Sequence, residues 1–337
     1  MRRFPSFSVI VEWENARRSG ARRASRMLRE LASQTAELST QLARRPELIV
    51  LYEKQAIAPD VVEHAVRAAC GAEPPFEVFL HSTEGVDYYA QKNLGAELSN
   101  RRYLLFLDSD VVPEPGWLRA LLGSLRPGVD IVGGTTYVEP DTFFGRAFGL
   151  FWFFPPRSQS NGLRESKFFY ANNVIFRREL FLAYKFADLP LYRGHCEILA
   201  AMLHRDGIKL FKQAGARVSH PPPSARHFVH RALCEGYDVI MRARLTGRTR
   251  PTGRGELRRQ LANLQDRVAK RLPQLKVGHG EVTAALALAR TYSLLRFTGE
   301  RLALRSPERA QKLLGIPSMP LPPPVVARPA LNEAQLP

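Results

Sequence analysis

Hydrophobic residues along this chain fall into two alternating periods. Continuous apolar runs at Phe7 to Val11, Leu48 to Tyr52, Phe76 to Leu80 and Tyr103 to Leu107 have the length and the β-branched and aromatic content of buried strands. Between them the spacing becomes helical. Met27, Leu28, Leu31, Leu38 and Leu42 recur at helical intervals within about Ala24 to Leu42, Pro59 and Asp60 open a second helix running to about Ala69, and Tyr88 to Leu98 reads as a third. Glu12 to Asn15 reads as a loop. Alternation of strand and helix predicts a mostly parallel sheet covered on both faces, a three-layer α/β/α sandwich.

The pattern continues past the fourth strand. Pro113 to Trp117 leads into a helix through about Leu125, and Ile131 to Gly134 is a strand. Asn172 to Arg178 reads as strand and turn, Glu197 to His204 as a helix stopped by Gly207, and Lys209 to His220 as strand before three prolines. The aromatic run Phe143 to Phe154 is too short to span a bilayer and is interrupted by Arg146, so core, a hydrophobic lid and an interfacial membrane contact all stay open. Composition divides the rest: a main domain over 1–245, a basic linker at 246–256, a helical tail at 257–316 and a Pro-rich end at 317–337, expected to be disordered. In that tail Val282 to Leu304 is leucine-rich, but Arg290, Arg296 and Arg301 argue for packing on the domain or a membrane surface.

Charge narrows the partners without choosing one. Lys and Arg number 49 against 32 acidic residues, a formal charge of +17 that favours nucleotide phosphates, nucleic acid or an acidic membrane. The arginine pairs are spread along the chain with no accompanying nucleic-acid motif, so nucleic acid is not expected. Cys70, Cys196 and Cys234 are widely spaced and odd in number, which argues for a reducing compartment. With no apolar leader or spanning segment evident, a cytoplasmic protein is expected, with a peripheral place at the inner face of the plasma membrane as the other option.

Chemistry concentrates after the fourth strand. Leu105-Phe106-Leu107-Asp108-Ser109-Asp110 delivers two carboxylates, one residue apart, to the carboxyl edge of the sheet, where open α/β sheets bind ligands. Their combined charge invites a divalent cation; a polar turn is the bland alternative. His227, His230 and Cys234 share one helix face and read as surface packing, with zinc a remote option because no fourth ligand is evident.

In order, these features resemble the family 2 glycosyltransferases of the GT-A fold, the nucleotide-diphospho-sugar transferases. Val9-Ile10-Val11 with Asn15 is similar to that family's opening strand and loop, although Glu12-Trp13-Glu14 replaces its usual Pro-Thr-Tyr. Glu53 falls at its acidic position against the nucleotide base, Lys92-Asn93-Leu94-Gly95 matches its basic-Asn-x-Gly helix, and Asp108-Ser109-Asp110 is its metal motif. Asn173 to Arg178 resembles the N-x-x-x-R-R segment, and a helix ending at Gly207 and a strand ending at His220 complete a likeness over roughly residues 6 to 225.

The resemblance implies metal-dependent, inverting transfer of a sugar from a nucleotide-diphosphate donor to a hydroxyl on a glycan or lipid-linked acceptor. Asp110 would bind Mg²⁺ or Mn²⁺, with Asp108 reaching the ion or the ribose and His220 a further ligand. Lys92 would neutralise phosphate and Asn93 would contact the base. Where the family carries Glu-Asp, with the aspartate as base, this chain has His195-Cys196; Glu197, one position on, is the preferred base, with His195 and a structural cap as alternatives. Two other classes are consistent with the letters: a haloacid-dehalogenase-like phosphatase with Asp108 as nucleophile, and a non-catalytic basic module binding membrane or RNA.

Overall fold

The apolar runs pair as a twisted α/β sheet in a computed structural model, which describes residues 3–248, 253–275, 277–320 and 322–324. Strands β1 (Phe7–Glu12), β2 (Glu47–Glu53), β3 (Glu77–Thr83) and β4 (Tyr103–Leu107) are joined through helices α1 (Glu14–Ser19), α2 (Ala21–Leu38), α3 (Pro59–Cys70) and α4 (Tyr88–Leu98). There follow β5 (Val112–Pro113), α5 (Trp117–Gly123), β6 (Ile131–Val138), α6 (Phe143–Phe151), β7 (Leu163–Ser166), β8 (Asn173–Arg177), α7 (Arg178–Tyr184), α8 (His195–Arg205) and β9 (Leu210–His220). The C-terminal part is helical: α9 (Ala225–Leu245), α10 (Arg254–Arg271), α11 (His279–Arg305) and α12 (Pro307–Leu314).

Sheet order is β3-β2-β1-β4-β8-β6-β9-β5, with β7 on β9. β1 to β4, β6 and β9 share one direction, while β5, β7 and β8 oppose it. Residues on the two faces of β1 and β4 fill separate cores: Val9, Leu105 and Leu107 pack with α2 and α5, and Ile10, Leu104 and Phe106 with α4 and α7. Continuous apolar runs are what burial on both faces requires. Asn173 of β8 ties the layers, accepting from Trp117 Nε1 at 2.8 Å and donating to the Ala216 carbonyl at 3.1 Å.

Three segments differ from the sequence reading. Glu14 to Ser19, whose first two residues were expected as loop, is a short helix. The aromatic run is helix α6, and Phe148, Phe151, Trp152 and Phe154 are buried with Phe228, Leu264, Ala285 and Tyr292 of α9, α10 and α11. Its apolar face is therefore core. The basic stretch at 246–256 already becomes helical at Arg254, while 249–252 and, in the Pro-rich end, 321 and 325–337 lie outside the described residues. No helix among the described residues is long and apolar enough to cross a membrane.

Helices α9 and α11 approach closely enough to exclude a methyl group. Gly236 faces the backbone of Arg296 and Glu300, and Gly299 faces the Leu233 carbonyl, so a Cβ at either would meet backbone rather than a movable side-chain tip. Gly236→Ala and Gly299→Ala should each cost about 1–3 kcal/mol by overpacking. Gly255, in open space within α10, supplies the control: its alanine variant should gain up to about 1 kcal/mol of helix propensity in the same urea titrations.

Candidate active site

β1 pairs with β2 on one side and β4 on the other, which opens a crevice at their carboxyl ends, the usual ligand position in such sheets. Asp108 leaves β4 at that point. Gly95 brings α4 down onto Ile10 and Leu51 with no space for a Cβ, so Lys92, one turn earlier, reaches under the crevice. Its Nζ lies 2.7 Å from Asp108 Oδ1, with the lysine fully buried. The Tyr88 hydroxyl lies 2.7 and 2.8 Å from the two Asp108 oxygens, and Asn15 Nδ2 donates to Oδ2 at 3.2 Å. Asp108 is thereby saturated by three side chains from two helices, α4 and α1.

Glu12 forms the floor. Fully buried, it accepts the Asn15 backbone N–H at 3.2 Å and Asn15 Nδ2 at 2.9 Å. Burial, reinforced by the Asp108 charge, pushes its carboxyl well above the usual carboxylate range.

Asp110 is treated differently by its surroundings. Its Oδ1 is buried without a hydrogen-bond partner, and its Oδ2 faces His220 Nε2 at 3.5 Å. Burial raises the Asp110 pKa, and the neighbouring His220 opposes that rise. His220 Nδ1 contacts the Pro221 carbonyl at 2.6 Å. If that contact is Nδ1–H donating, a neutral ring turns the Nε2 lone pair toward the carboxylate, and two acceptors face each other unless a proton or cation lies between them. The loop is fixed from behind, since Ser109 Oγ accepts the Ala16 N–H at 2.8 Å, and Arg23 donates to the Asp110 carbonyl and, at 3.0 Å, to that of Ser219. A buried orphan carboxylate oxygen beside an imidazole suits a divalent cation. Among the described residues no cluster of three or more His, Cys, Asp or Glu could hold a metal alone, so the remaining ligands would have to come from a bound molecule or water.

Two cavities open from this centre. The larger, about 1230 Å³, is reached by Asp108, Asp110, His220 and Glu197 and has an aromatic wall. The smaller, about 470 Å³, is lined by Glu53, Gln55, Asp87 and Gln91. Tyr88, Tyr89, Tyr192 and Arg193 border both. Arg193 stacks over the Tyr88 ring at 4.1 Å and pairs with Glu14 at 3.7 Å.

Of the residues expected from sequence, Lys92, Asp108, Asp110 and His220 come together, Glu53 lies in the smaller cavity, and Glu197 lies in the larger one, half-exposed and ion-paired with Arg242. Asn93 does not reach a donor site: its amide donates to the Phe186 carbonyl at 2.8 Å and accepts the Phe186 N–H at 3.0 Å, spending both ends on backbone. His195 is a poor base here, because it is buried against Tyr89 with ring centroids 4.0 Å apart and burial lowers its pKa to about 3. His230 is taken by the Leu314 carbonyl at 3.0 Å and by Cys234 Sγ at 3.5 Å, in keeping with a packing role. Sequence reading missed Glu12, Tyr88, Arg193 and Arg23 as parts of the centre; only the unusual Glu12-Trp13-Glu14 drew notice.

Residues 58–184 match the family model described as "Glycosyl transferase family 2". That match covers under half of the chain, and over it the chain is similar to the family 2 glycosyltransferases. A search among curated proteins found no match. Among solved structures the chain is similar to GalNAc-T7 crystallised with UDP, GalNAc and Mn²⁺, at 13% identity and a TM-score of 0.50 over 72% of this chain. It spans 51% of that protein's length. The mannosyltransferase PcManGT from Pyrobaculum calidifontis, in complex with GDP-Man and Mn²⁺, aligns at 15% identity and a TM-score of 0.48 over 94% of this chain and 79% of its own. A structure titled only as a mycobacterial protein aligns at 16% identity and 0.41, over 66% and 69%. The fold is of the GT-A glycosyltransferase type.

Two outcomes follow from the buried charges. Lys92→Met leaves Asp108 buried and uncompensated and should lower stability by roughly 3–5 kcal/mol, whereas the double variant Lys92→Met with Asp108→Leu should recover much of the loss; denaturant titration reads both. His195, with its folded pKa depressed, contributes stability that is present above about pH 6.5 and lost as pH falls toward about 3. His195→Phe should flatten that part of the stability profile measured by urea unfolding at stepped pH.

Proposed function

We propose that this chain transfers a sugar from a nucleoside-diphosphate donor to an acceptor hydroxyl with inversion at the anomeric carbon, using Mg²⁺ or Mn²⁺. The observation that carries this reading is the division of labour between two neighbouring carboxylates: Asp108 is neutralised by Lys92, and Asp110 keeps a buried oxygen without a partner beside His220. The partnerless Asp110 oxygen is satisfied in this reading by a cation shared with an anionic ligand. The structurally similar GalNAc-T7 was crystallised with UDP and Mn²⁺, which is the ligand pair this chemistry asks for.

In this reading Asp110 and His220 hold the cation, and the cation when bound supplies Lewis-acid stabilisation of charge growing on the departing diphosphate. Asp108 fixes the ribose side, and Glu53 accepts from the nucleotide base in the smaller cavity. The acceptor enters the larger cavity. Its hydroxyl oxygen bonds to the anomeric carbon as the bond to the diphosphate breaks, and its proton passes to the Glu197 carboxylate, which Arg242 steadies. Water is kept back by the aromatic wall and by Tyr88 and Arg193 at the junction of the cavities. We assign this chemistry to residues 1–245 with α10 to α12 as a supporting helical unit, and assign the protein to the cytoplasm, acting on a cell-surface glycan or on a lipid-linked acceptor at an anionic membrane face.

The phosphatase alternative needs Asp108 as a free nucleophile. Contacts from Lys92, Tyr88 and Asn15 occupy that carboxylate instead.

Thermal-shift titration with UDP and GDP, with and without Mn²⁺, tests the donor site. At a hundredfold excess over Kd the metal–nucleotide pair should stabilise the wild type by about 2.7 kcal/mol. Asp110→Asn should abolish the Mn²⁺-dependent part without lowering the stability of the free protein. Glu197→Gln should retain nucleotide binding and lose transfer by about 10²–10⁴-fold; full turnover by that variant would remove Glu197 as the base.

A further inference from the structure

The larger cavity is lined by a cation, Arg231, that makes no hydrogen bond or ion pair among the described residues. Arg231, on α9 two turns beyond its start, lines the cavity, and its guanidinium has no hydrogen-bond partner among the described residues, with Nε sealed from solvent. Ring faces flank it, 5.3 Å away at the Phe153 centroid and 5.5 Å at that of Tyr192, and Glu235 adds an attractive charge without a hydrogen bond. Carboxylates nearby are already engaged. Glu235, one turn further along α9, accepts the Tyr292 hydroxyl at 2.5 Å and faces Arg296 at 3.6 Å; Asp238 accepts the Tyr192 and Arg193 backbone N–H groups at 2.8 and 2.7 Å; Glu197 is paired with Arg242. A guanidinium so placed, stacked between rings, lining a cavity and making no hydrogen bond among the described residues, is a fork for an oxyanion.

The cavity also connects this arginine to the reaction centre. Trp152 and Phe154 lie 5.7 and 5.0 Å from the His220 ring, and Phe153, packed on both at 4.3 Å, carries Arg231 on its own face. One aromatic row therefore runs from the Asp110–His220 pair to the unpaired guanidinium. Lys167 and Arg248 add positive charge around the same space.

We infer that Arg231 is the anchor of an anion site and that the acceptor bears a phosphate ester, bound there with its sugar or chain lying along Trp152, Phe153 and Phe154. This rests on the reading of the neighbouring centre as a glycosyl-transfer site. The phosphate belongs either to a soluble phosphorylated sugar or polyol or to a lipid-borne phosphate, and the two are separated by experiment.

Glycerol 3-phosphate, octyl phosphate below its micelle concentration and the neutral octyl β-glucoside are titrated into the full chain by calorimetry. The expected result is saturable binding of phosphate at least tenfold tighter than of the glucoside, weakened at least tenfold in Arg231→Gln and by an intermediate factor in Arg231→Lys. Comparable binding of both phosphates assigns a soluble source, and selective binding of octyl phosphate a lipid-borne one. Equal affinity for octyl phosphate and octyl glucoside, absence of saturable phosphate binding, or unchanged affinity in Arg231→Gln overturns the inference; if Arg231→Gln does not unfold cooperatively, Arg231→Lys decides by the same criterion. UDP and GDP affinity with Mn²⁺ is read on the same wild-type sample. Intact nucleotide binding without phosphate selectivity defeats the acceptor inference alone, whereas absent nucleotide binding defeats the donor-site reading itself.

Discussion

The fully buried contact between Lys92 and Asp108 sets the terms for everything around it. Charges removed from water cost several kcal/mol each, so this lysine is sustainable only because a carboxylate meets it at 2.7 Å and Tyr88 and Asn15 satisfy the rest of that carboxylate. The pair therefore locks α4, the end of β4 and the β1–α1 turn into one geometry. Once Asp108 is spoken for, the next acidic residue cannot be neutralised from the same source. Asp110 is left with a buried oxygen that nothing in the fold satisfies, and a site that depends on an incoming cation is the direct consequence.

Helices C-terminal to the sheet complete what the sheet begins. Strand ends supply the carboxylates and His220, but the opposite side of the larger cavity is built by α8 and α9, and the aromatic wall stands on α6, itself wedged under α10 and α11. The close α9–α11 contact at Gly236 and Gly299 makes that wall stiff. An account of the chain that stopped at residue 225 would have half a cleft.

Legibility in the sequence follows what each segment is buried against. β1, β2 and β4 are covered on both faces and so appear as unbroken apolar runs; Gly95 and Lys92 are visible as a spaced motif because α4 must both touch the sheet and reach under it. Helix α9 was legible only around His227, His230 and Cys234, because Arg231, Glu235 and Asp238, which line the larger cavity, interrupt its apolar positions Phe228, Ala232, Tyr237 and Met241. Asn93 misled because an amide suits a nucleotide base and a backbone turn equally, and only the proximity of Phe186, far along the chain, decides between them. Glu12 was legible as an oddity and not as a floor, since burial at a strand end depends on what β2 and β4 place beside it. The family model's match over residues 58–184 excludes both Glu12-Trp13-Glu14 and His195-Cys196, the two places where this chain departs from the pattern it resembles.

Those departures meet in space. Glu14 pairs with Arg193, Arg193 covers the ring of Tyr88, and Tyr88 bonds Asp108, so the altered β1–α1 turn and the altered start of α8 touch through one arginine. The backbone of that arginine is in turn held by Asp238 of α9. Arg193 borders both cavities, and if one receives the donor and the other the acceptor, neither ligand can settle without contacting a segment the other also touches. Coupling between the two substrates would then run through Arg193, whose backbone Asp238 of α9 holds.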